Sequence, residues 1–198
     1  MAFRDGGLPP GVILAGGTGR RMGGADKALL DLRGRPLLSH VAARLAPQVS
    51  RLALNANGDP GRFAGFGLPV LPDPLADAGP LAGVLAALDW AAGQGAVRVV
   101  TVAVDTPFFP EDLVRRFLAE AGTGPAIAAS ARSHPTFGLW PVRLRASLAA
   151  TLDSGERRLG LWAQRTGAAK VVWETDGPDP FLNVNTPEDL AAAEARPA

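Results

Sequence analysis

A glycine-rich stretch with three basic side chains is the first place where the residue types and their spacing suit chemistry. Residues 16–27 read GGTGRRMGGADK and contain five glycines together with Arg20, Arg21 and Lys27. Glycine lets the backbone turn sharply and brings its N–H groups close to an anion, and the basic side chains match phosphate oxygens. The stretch therefore predicts a polyphosphate site. The alternative is a surface loop with solvated arginines. For Arg20, contact with the phosphates and an outward, solvated orientation both stay open.

The spacing within this stretch excludes two standard nucleotide-binding motifs. The P-loop needs lysine directly after its second glycine, but Ala25 follows the correctly spaced Gly19 and Gly24. Gly17 and Gly19 match the first two glycines of the dinucleotide fingerprint G-x-G-x-x-G, but Met22 stands in place of the third. The stretch thus predicts a phosphate cradle of another kind.

Polar side chains also stand at the ends of three predicted strands. Asp105 is the first charged residue after the apolar run 98–104, and Asn55 and Asp73 end two shorter runs. A carboxylate in such a place is a typical magnesium ligand when phosphate oxygens complete the coordination. Carboxylate and amide groups can also hydrogen-bond a nucleoside. The alternative for all three residues is turn formation.

The elements that must position these residues alternate between strands and helices. The predicted strands are 11–15, 51–55, 69–71, 98–104, 126–130, 136–140 and 170–174, and the predicted helices are 37–46, 81–92, 110–121, 142–152, 158–166 and one capped at Thr186. This order predicts an α/β protein with a single-domain, Rossmann-like three-layer fold, in which helices flank a mostly parallel sheet. Ligands of such sheets bind at the carboxyl ends of the strands. We expect an N-terminal tail over residues 1–10 and one domain over residues 11–198.

The composition excludes several classes of function. The chain has 198 residues, is 47% hydrophobic, carries a net charge of +1 and contains no cysteine. The near-zero charge argues against binding to nucleic acid or to a membrane surface. The lack of cysteine excludes disulfides, thiolate zinc sites and cysteine nucleophiles. No G-x-S-x-G motif supports a serine nucleophile. No apolar run has the length of a membrane helix or of a signal-peptide core, so we expect a cytoplasmic protein. We also expect a monomer.

Six motifs in order give the chain a specific resemblance. They are LAGGTGRRMGGADK (14–27), LALNAN (52–57), LPDPLADAGPLAGVLAAL (71–88), AVDTPFFPEDL (103–113), HPTFGLWP (134–141) and NVNTPEDL (183–190). With them the sequence resembles the molybdenum cofactor guanylyltransferases of the nucleotidyltransferase superfamily, over nearly the whole chain after residue 10. Relatives often carry cysteine just before the aspartate of the VDTP-like motif, where this chain has Ala103 and Val104. We interpret that difference as a packing change.

The resemblance implies a magnesium-dependent transfer of GMP from GTP to the terminal phosphate of molybdopterin, with release of pyrophosphate. GTP and molybdopterin would be its substrates, and molybdoenzyme apoproteins or other cofactor-biosynthesis proteins its partners. Asp105 would bind Mg²⁺, and Lys27 and Arg21 would stabilise charge on the phosphates. The residues that would hold the nucleotide are Leu14, Ala15, Gly16, Lys27, Asn55, Asp73 and Asp105. The resemblance places His134, Asn183 and Asn185 on the acceptor side, where the alternatives are a structural histidine and helix-capping asparagines.

Two other functions stay open at this point. A cytidylyltransferase acting on the same cofactor or on a sugar-type phosphate would use the same chemistry, but such relatives tend to read LAAG where this chain has Leu14-Ala15-Gly16-Gly17. A non-catalytic nucleotide-binding or cofactor-carrier module would keep the glycines and could lose Lys27 or Asp105. Both residues are present.

Overall fold

A computed structural model describes residues 7–16 and 26–196. The strands in these ranges are β1 (Gly11–Leu14), β2 (Asp31–Leu32), β3 (Arg35–Pro36), β4 (Leu52–Asn55), β5 (Val70–Leu71), β6 (Arg98–Ala103), β7 (Ala126–Ala129), β8 (Ser133–Pro141) and β9 (Ala169–Val172). The α-helices are α1 (Leu37–Leu45), α2 (Pro80–Gly93), α3 (Leu113–Glu120), α4 (Arg145–Asp153), α5 (Leu159–Arg165) and α6 (Pro187–Glu194). Short 3₁₀ segments cover Lys27–Leu29, Ala46–Gln48, Pro60–Phe66 and Val142–Leu144.

Seven strands form one sheet in the order β5-β4-β1-β6-β8-β7-β9. β1 lies inside the sheet and pairs in parallel with β4 and with β6, so Leu14 lies beside Asn55 on one side and beside Ala103 on the other. β8 runs antiparallel to both β6 and β7, and β7 pairs in parallel with β9. The predicted mostly parallel sheet of an α/β fold is confirmed. This pairing brings the ends of β1, β4 and β6 to one edge.

Helices cover both faces of the sheet because successive strand residues point to opposite sides. On β1, Ile13 packs into the cluster that contains the buried faces of α1 and α3. Its neighbours Val12 and Leu14 pack into the cluster of α2, α4 and α5. A third, smaller cluster joins β2 to α6 through Leu32 and Ala193. Helices therefore pack against both faces of the sheet next to the edge where β1, β4 and β6 end.

Several element boundaries differ from those predicted. The helix predicted to begin at Pro110 begins at Leu113. Pro110 instead accepts a turn hydrogen bond from Leu113, and the side chain of Asp112 accepts one from the indole of Trp173. The strand predicted over 136–140 extends over Ser133–Pro141. The β2–β3 hairpin and the 3₁₀ segments Lys27–Leu29 and Pro60–Phe66 were not predicted, because they are too short to show hydrophobic periodicity. The segment Val142–Leu144 is the start of the helix predicted over 142–152.

Pro9 and Pro10 are buried, and their carbonyl groups accept hydrogen bonds from Ser50 and Val100. The proposed division into residues 1–10 and 11–198 stays a prediction. No helix among residues 7–16 and 26–196 is long and apolar enough to span a membrane. The cytoplasmic location and the monomeric state also stay predictions.

Candidate active site

A cleft of about 220 Å³ opens at the carboxyl ends of β1, β4 and β6. Its lining consists of Leu14, Ala15, Gly16, Lys27, Asn55, Asp73, Gly79, Pro80, Ala103, Val104, Asp105, Thr136 and Asn183. All seven residues predicted to hold a nucleotide lie in this lining, together with Asn183 from the predicted acceptor side. Residues far apart in the sequence thus meet where ligands of such sheets bind.

One side of the cleft holds a lysine between a carboxylate and an amide. Lys27 Nζ lies 3.1 Å from Asp105 Oδ2, and it also donates to Asn185 Oδ1. The side chains of Lys27 and Asp105 are each 18% exposed, so the pair is shielded from bulk water and still open to a ligand. Lys27 begins a 3₁₀ turn that Asp26 caps, because Asp26 Oδ1 accepts from the backbone N–H of Ala28 at 3.1 Å. The Lys27 ammonium, beside the side-chain oxygens of Asp105 and Asn185, can bind a phosphate group.

The segment before α6 supplies further oxygen atoms to this side. Val184 donates its backbone N–H to the carbonyl oxygen of Asp105 at 2.7 Å, so the segment lies directly against the end of β6. The hydroxyl of the buried Thr106 lies 2.9 Å from Asn183 Oδ1 and 3.3 Å from Asp105 Oδ1. The amide and carboxylate oxygens of Asn183, Asn185 and Asp105 therefore gather near Lys27.

This donor set fits Mg²⁺, a hard cation that binds oxygen ligands. The described ranges contain no cluster of three or more His, Cys, Asp or Glu side chains able to hold a metal ion by themselves. Mg²⁺ does not require such a cluster, since it is usually bound by one or two carboxylates together with substrate phosphates. Asp105 supplies one carboxylate at the cleft.

A second hydrogen-bond network lies across the cleft, on β4 and the segment after β5. Asn55 Nδ2 donates to Asp73 Oδ1 at 2.8 Å and to the carbonyl oxygen of Leu71 at 3.0 Å. Asn57 Nδ2 donates to Asp73 Oδ2 at 2.7 Å, and Asn57 Oδ1 accepts from the Asp73 N–H at 2.9 Å. Both carboxylate oxygens of Asp73 are thus fixed by amide groups, and each keeps a lone pair for a ligand.

The end of the chain supports the site through a helix cap. Thr186 is the N-cap of α6, and Asp189 Oδ2 accepts from the backbone N–H groups of Asn185 and Thr186 at 2.9 Å each. These hydrogen bonds, that of Asn185 foremost, hold the pKa of Asp189 below its ordinary value. The predicted cap at Thr186 is confirmed, and through Asp189 it also fixes the backbone of Asn185.

His134 is not among the described residues that line the cleft. It is buried on β8, its Nε2 lies 2.8 Å from Ser130 Oγ and 3.8 Å from Asp179 Oδ2, and its ring stacks on Phe181 with centroids 4.7 Å apart. Burial lowers the pKa of His134, against the opposing effect of Asp179. Its acceptor-side role stays a prediction. Arg20 and Arg21 fall outside the described residues.

Several residues of the site were not predicted from the sequence. They are Asp26, Asn57, Arg62, Gly83, Thr106 and Thr136. Asn57 and Arg62 stand in the turn-rich string NANGDPGR, where turn formation explains each residue type equally well. Thr136 lies near the start of β8. Because β8 is antiparallel to β6, its beginning reaches the edge where the neighbouring parallel strands end.

The sequence of this chain is similar to a known family of transferases. A family model described as the MobA-like NTP transferase domain matches residues 11–168. A protein of Cereibacter sphaeroides named molybdenum cofactor guanylyltransferase is 56% identical over 186 residues, which cover 93% of this chain and 95% of that protein. A protein of Bradyrhizobium sp. (strain ORS 278) with the same name is 52% identical over 193 residues, covering 93% and 91% of the two chains.

Solved structures share the architecture. Molybdopterin-guanine dinucleotide biosynthesis protein A from Archaeoglobus fulgidus has a TM-score of 0.71 at 22% identity, covering 93% of this chain and 96% of that chain. A nucleotidyl transferase from Methanothermobacter thermautotroptrophicus has a TM-score of 0.74 at 20% identity, covering 96% and 97%. These TM-scores establish a common fold. The sequence relatives also show family membership, because more than half of their residues are identical to this chain over nearly its full length. On the match over residues 11–168 and on these relatives, the chain belongs to the MobA-like NTP transferase family.

Proposed function

We propose that this protein transfers GMP from GTP to the terminal phosphate of molybdopterin, forming the guanine dinucleotide cofactor and releasing pyrophosphate. The relatives named molybdenum cofactor guanylyltransferase support the reaction class. The observation that carries the choice of nucleotide is the set of hydrogen-bond acceptors that Asn55 and Asp73 present at the cleft.

The orientation of the Asn55 amide is fixed by its partners. Its Nδ2 donates to a carbonyl oxygen of Leu71 and to a carboxylate oxygen of Asp73, and both of these groups can only accept. Asn55 Oδ1 therefore points the other way, toward Gly16 and Gly83. No donor in the described ranges bonds to this oxygen. Asn55 is 2% exposed, so its oxygen is an acceptor held in place before a ligand arrives.

Guanine is the base that fits such acceptors. It carries an N1–H donor and an N2 amino group on one edge, whereas cytosine offers a single amino group beside two acceptors. Guanine can donate to Asn55 Oδ1 and to the free lone pairs of Asp73. Cytosine in the same place would set its own acceptors against them. A site with buried polar partners rejects a base that leaves them unpaired, so this arrangement favours guanylyl over cytidylyl transfer.

On the phosphate side of the cleft, Lys27 and Asp105 have separate roles. Mg²⁺ would be held by Asp105 and the phosphate oxygens of GTP, and it would neutralise part of the phosphate charge. Lys27 begins a turn beside this carboxylate and carries a positive charge into the cleft. Arg21, which stands six residues earlier in the glycine-rich stretch, would bind the pyrophosphate end. Asn183 and Asn185, on the segment before α6 that lies against Asp105, would orient the acceptor.

The reaction exchanges one P–O bond for another. An oxygen of the acceptor phosphate forms a bond to the α-phosphorus of GTP, and the bond from the α-phosphorus to the bridging oxygen breaks. Pyrophosphate leaves with that oxygen and its electron pair. The acceptor is already an ionised phosphate monoester, so no general base is required. Charge builds up on the leaving pyrophosphate, where the Lys27 ammonium lowers the energy of the transition state.

The test is a direct comparison of four nucleotides. The purified protein is incubated with molybdopterin, Mg²⁺ and GTP, CTP, ATP or UTP, and both pyrophosphate and the dinucleotide are measured. We expect kcat/KM for GTP to exceed that for CTP by at least about 10²-fold. Asn55→Ala should reduce this ratio, because it removes the fixed acceptor.

Equal turnover with CTP would refute the guanylyl assignment and support cytidylyl transfer. Binding of GTP without release of pyrophosphate would instead support a non-catalytic nucleotide-binding module. Omitting Mg²⁺ from the GTP reaction tests the metal requirement in the same assay.

A further inference from the structure

Arg62 lies outside the cleft lining and donates hydrogen bonds to three different residues. It lies on the 3₁₀ segment Pro60–Phe66, after β4. Its Nε donates to Asp26 Oδ2 at 2.7 Å, its Nη1 to the carbonyl oxygen of Asp59 at 2.7 Å, and its Nη2 to the carbonyl oxygen of Asn57 at 2.5 Å. The guanidinium also lies over the ring of the buried Phe63, 4.5 Å from its centroid. The position of this group is therefore fixed from several directions.

Two of these partners lead to opposite sides of the cleft. Asp26 uses one carboxylate oxygen for Arg62 and the other for the N–H of Ala28, which caps the turn that begins at Lys27. Asn57 gives its carbonyl oxygen to Arg62, while its side chain holds Asp73 in place. A single guanidinium thus connects the turn of the phosphate-side lysine to the base-side carboxylate.

We propose that Arg62 is a positioning residue that sets the distance between the phosphate-binding side and the base-binding side of the nucleotide cleft. This inference rests on the proposed use of GTP, which must span both sides at once. Fixing both sides before binding reduces the ordering that the nucleotide would otherwise impose. Arginine is required because its planar fork donates to several acceptors together, whereas lysine offers one compact charge. The donors of lysine all lie on one nitrogen, so we expect lysine at this position to satisfy Asp26 and Asn57 less well than the fork of arginine does.

The first test separates this role from a merely structural one. Arg62→Ala and Arg62→Lys are compared with wild type for kcat and KM with GTP, Mg²⁺ and molybdopterin, at a temperature where all three proteins are folded. Arg62→Ala should raise KM for GTP roughly tenfold and lower kcat several-fold, as expected for the loss of a charged hydrogen-bond network. Arg62→Lys should recover only part of either effect. Arg143→Ala is the matched control, because Arg143 also donates to a backbone carbonyl, that of Thr123, and does not line the cleft.

A double-mutant cycle tests the connection to Lys27. In an Asp26→Ala background, Arg62→Ala should lower kcat much less than it does in wild type, since the shared contact is already lost. Additive effects of the two substitutions would refute the link to the lysine turn. Values of kcat/KM within twofold of wild type for Arg62→Ala would overturn the proposal as a whole.

A readout that does not depend on turnover separates this proposal from the proposed function. Amide hydrogen exchange should become faster in Arg62→Ala both at residues 26–29 and at Asp73 and Leu75, two segments far apart in the sequence. Faster exchange around Arg62 alone would overturn the proposal even if the enzyme transfers GMP. If wild type fails to transfer GMP while exchange changes in both segments, the proposed function is wrong and the positioning role of Arg62 stands.

Discussion

Gly83 on α2 leaves the space that the side-chain oxygen of Asn55 occupies. A Cβ atom at residue 83 would lie 2.3 Å from Asn55 Oδ1 and 3.1 Å from Leu14 Cδ2. Glycine in a helix interior is unfavourable by about 1 kcal/mol relative to alanine, and here the close approach of the Asn55 amide accounts for it. The amide cannot easily move away, because Leu71 and Asp73 hold its nitrogen.

Gly83→Ala should therefore displace Asn55 and weaken the use of GTP. We expect kcat/KM for GTP to fall about tenfold because the acceptor oxygen of Asn55 is displaced, while overpacking of this kind lowers the free energy of unfolding by roughly 1–3 kcal/mol. Gly93→Ala in the same helix is the control, because a Cβ there meets no atom within 4 Å. It should leave activity unchanged. In an Asn55→Ala background only the longer contact with Leu14 Cδ2 remains, so Gly83→Ala should lower kcat/KM much less than it does in wild type. A harmless Gly83→Ala in the wild-type background would contradict this account.

Lys27→Ala should lower kcat far more than it raises KM for GTP. The charge that Lys27 offsets grows in the transition state, so the expected loss in kcat is roughly 10²-fold or more. The chain offers a matched control in Lys170, its other lysine, which is exposed on β9. Lys170→Ala should behave as wild type. A Lys27→Ala enzyme whose kcat stays within a few-fold of wild type would reduce Lys27 to a loop residue.

Asp105→Asn should abolish magnesium-dependent activity and leave the fold intact. Asparagine keeps the size and an acceptor oxygen, and the backbone bond from Val184 to residue 105 does not involve the side chain. The lost charge is what attracts Mg²⁺. The measurement is kcat/KM across a magnesium titration, with thermal melting as a check on folding and Asp89→Asn as a control on α2. Wild-type transfer at wild-type magnesium concentrations would refute the metal role.

Thermal stability should depend on the protonation of His134. Burial lowers the pKa of His134 in the folded protein, whereas the unfolded chain has the ordinary value of about 6.5. Below that pH the unfolded state binds the proton more readily, so the free energy of unfolding falls as the pH decreases. We expect Tm to decrease between pH 7 and pH 5. The decrease should be smaller in His134→Gln, which removes the titrating group. Parallel curves for the two proteins would show that His134 does not contribute.

Local rules explain which parts of this molecule could be predicted from its sequence. The apolar run ahead of Asp105 is buried on both faces in β6, and a run of that kind is readable from residue types alone. The cap at Thr186 was readable because Pro187, Glu188 and Asp189 give a strong helix-start signal. In each case neighbours in the sequence determine the structure.

The features that escaped prediction depend on contacts between distant segments. The link from Arg62 to Asp26 joins residues 36 apart, and nothing in the string around Arg62 distinguishes it from a solvated turn residue. Thr136 reaches the cleft only because β8 runs against β6. Hydrophobic periodicity can indicate a strand, but it does not give the strand's direction.

The bond from the Val184 N–H to the carbonyl oxygen of Asp105 joins a segment near the end of the described chain to a strand in its middle. Local opening of that segment would remove Asn183 and Asn185 from the cleft while the sheet stays paired. The same opening would leave Lys27 without its amide partner. A nucleotide that contacts both sides binds only the closed form, so it opposes the opening in proportion to its concentration over its Kd. Through this hydrogen bond and the contacts of Asn183 and Asn185 with Thr106 and Lys27, occupancy of the cleft is coupled to how long the segment before α6 remains docked.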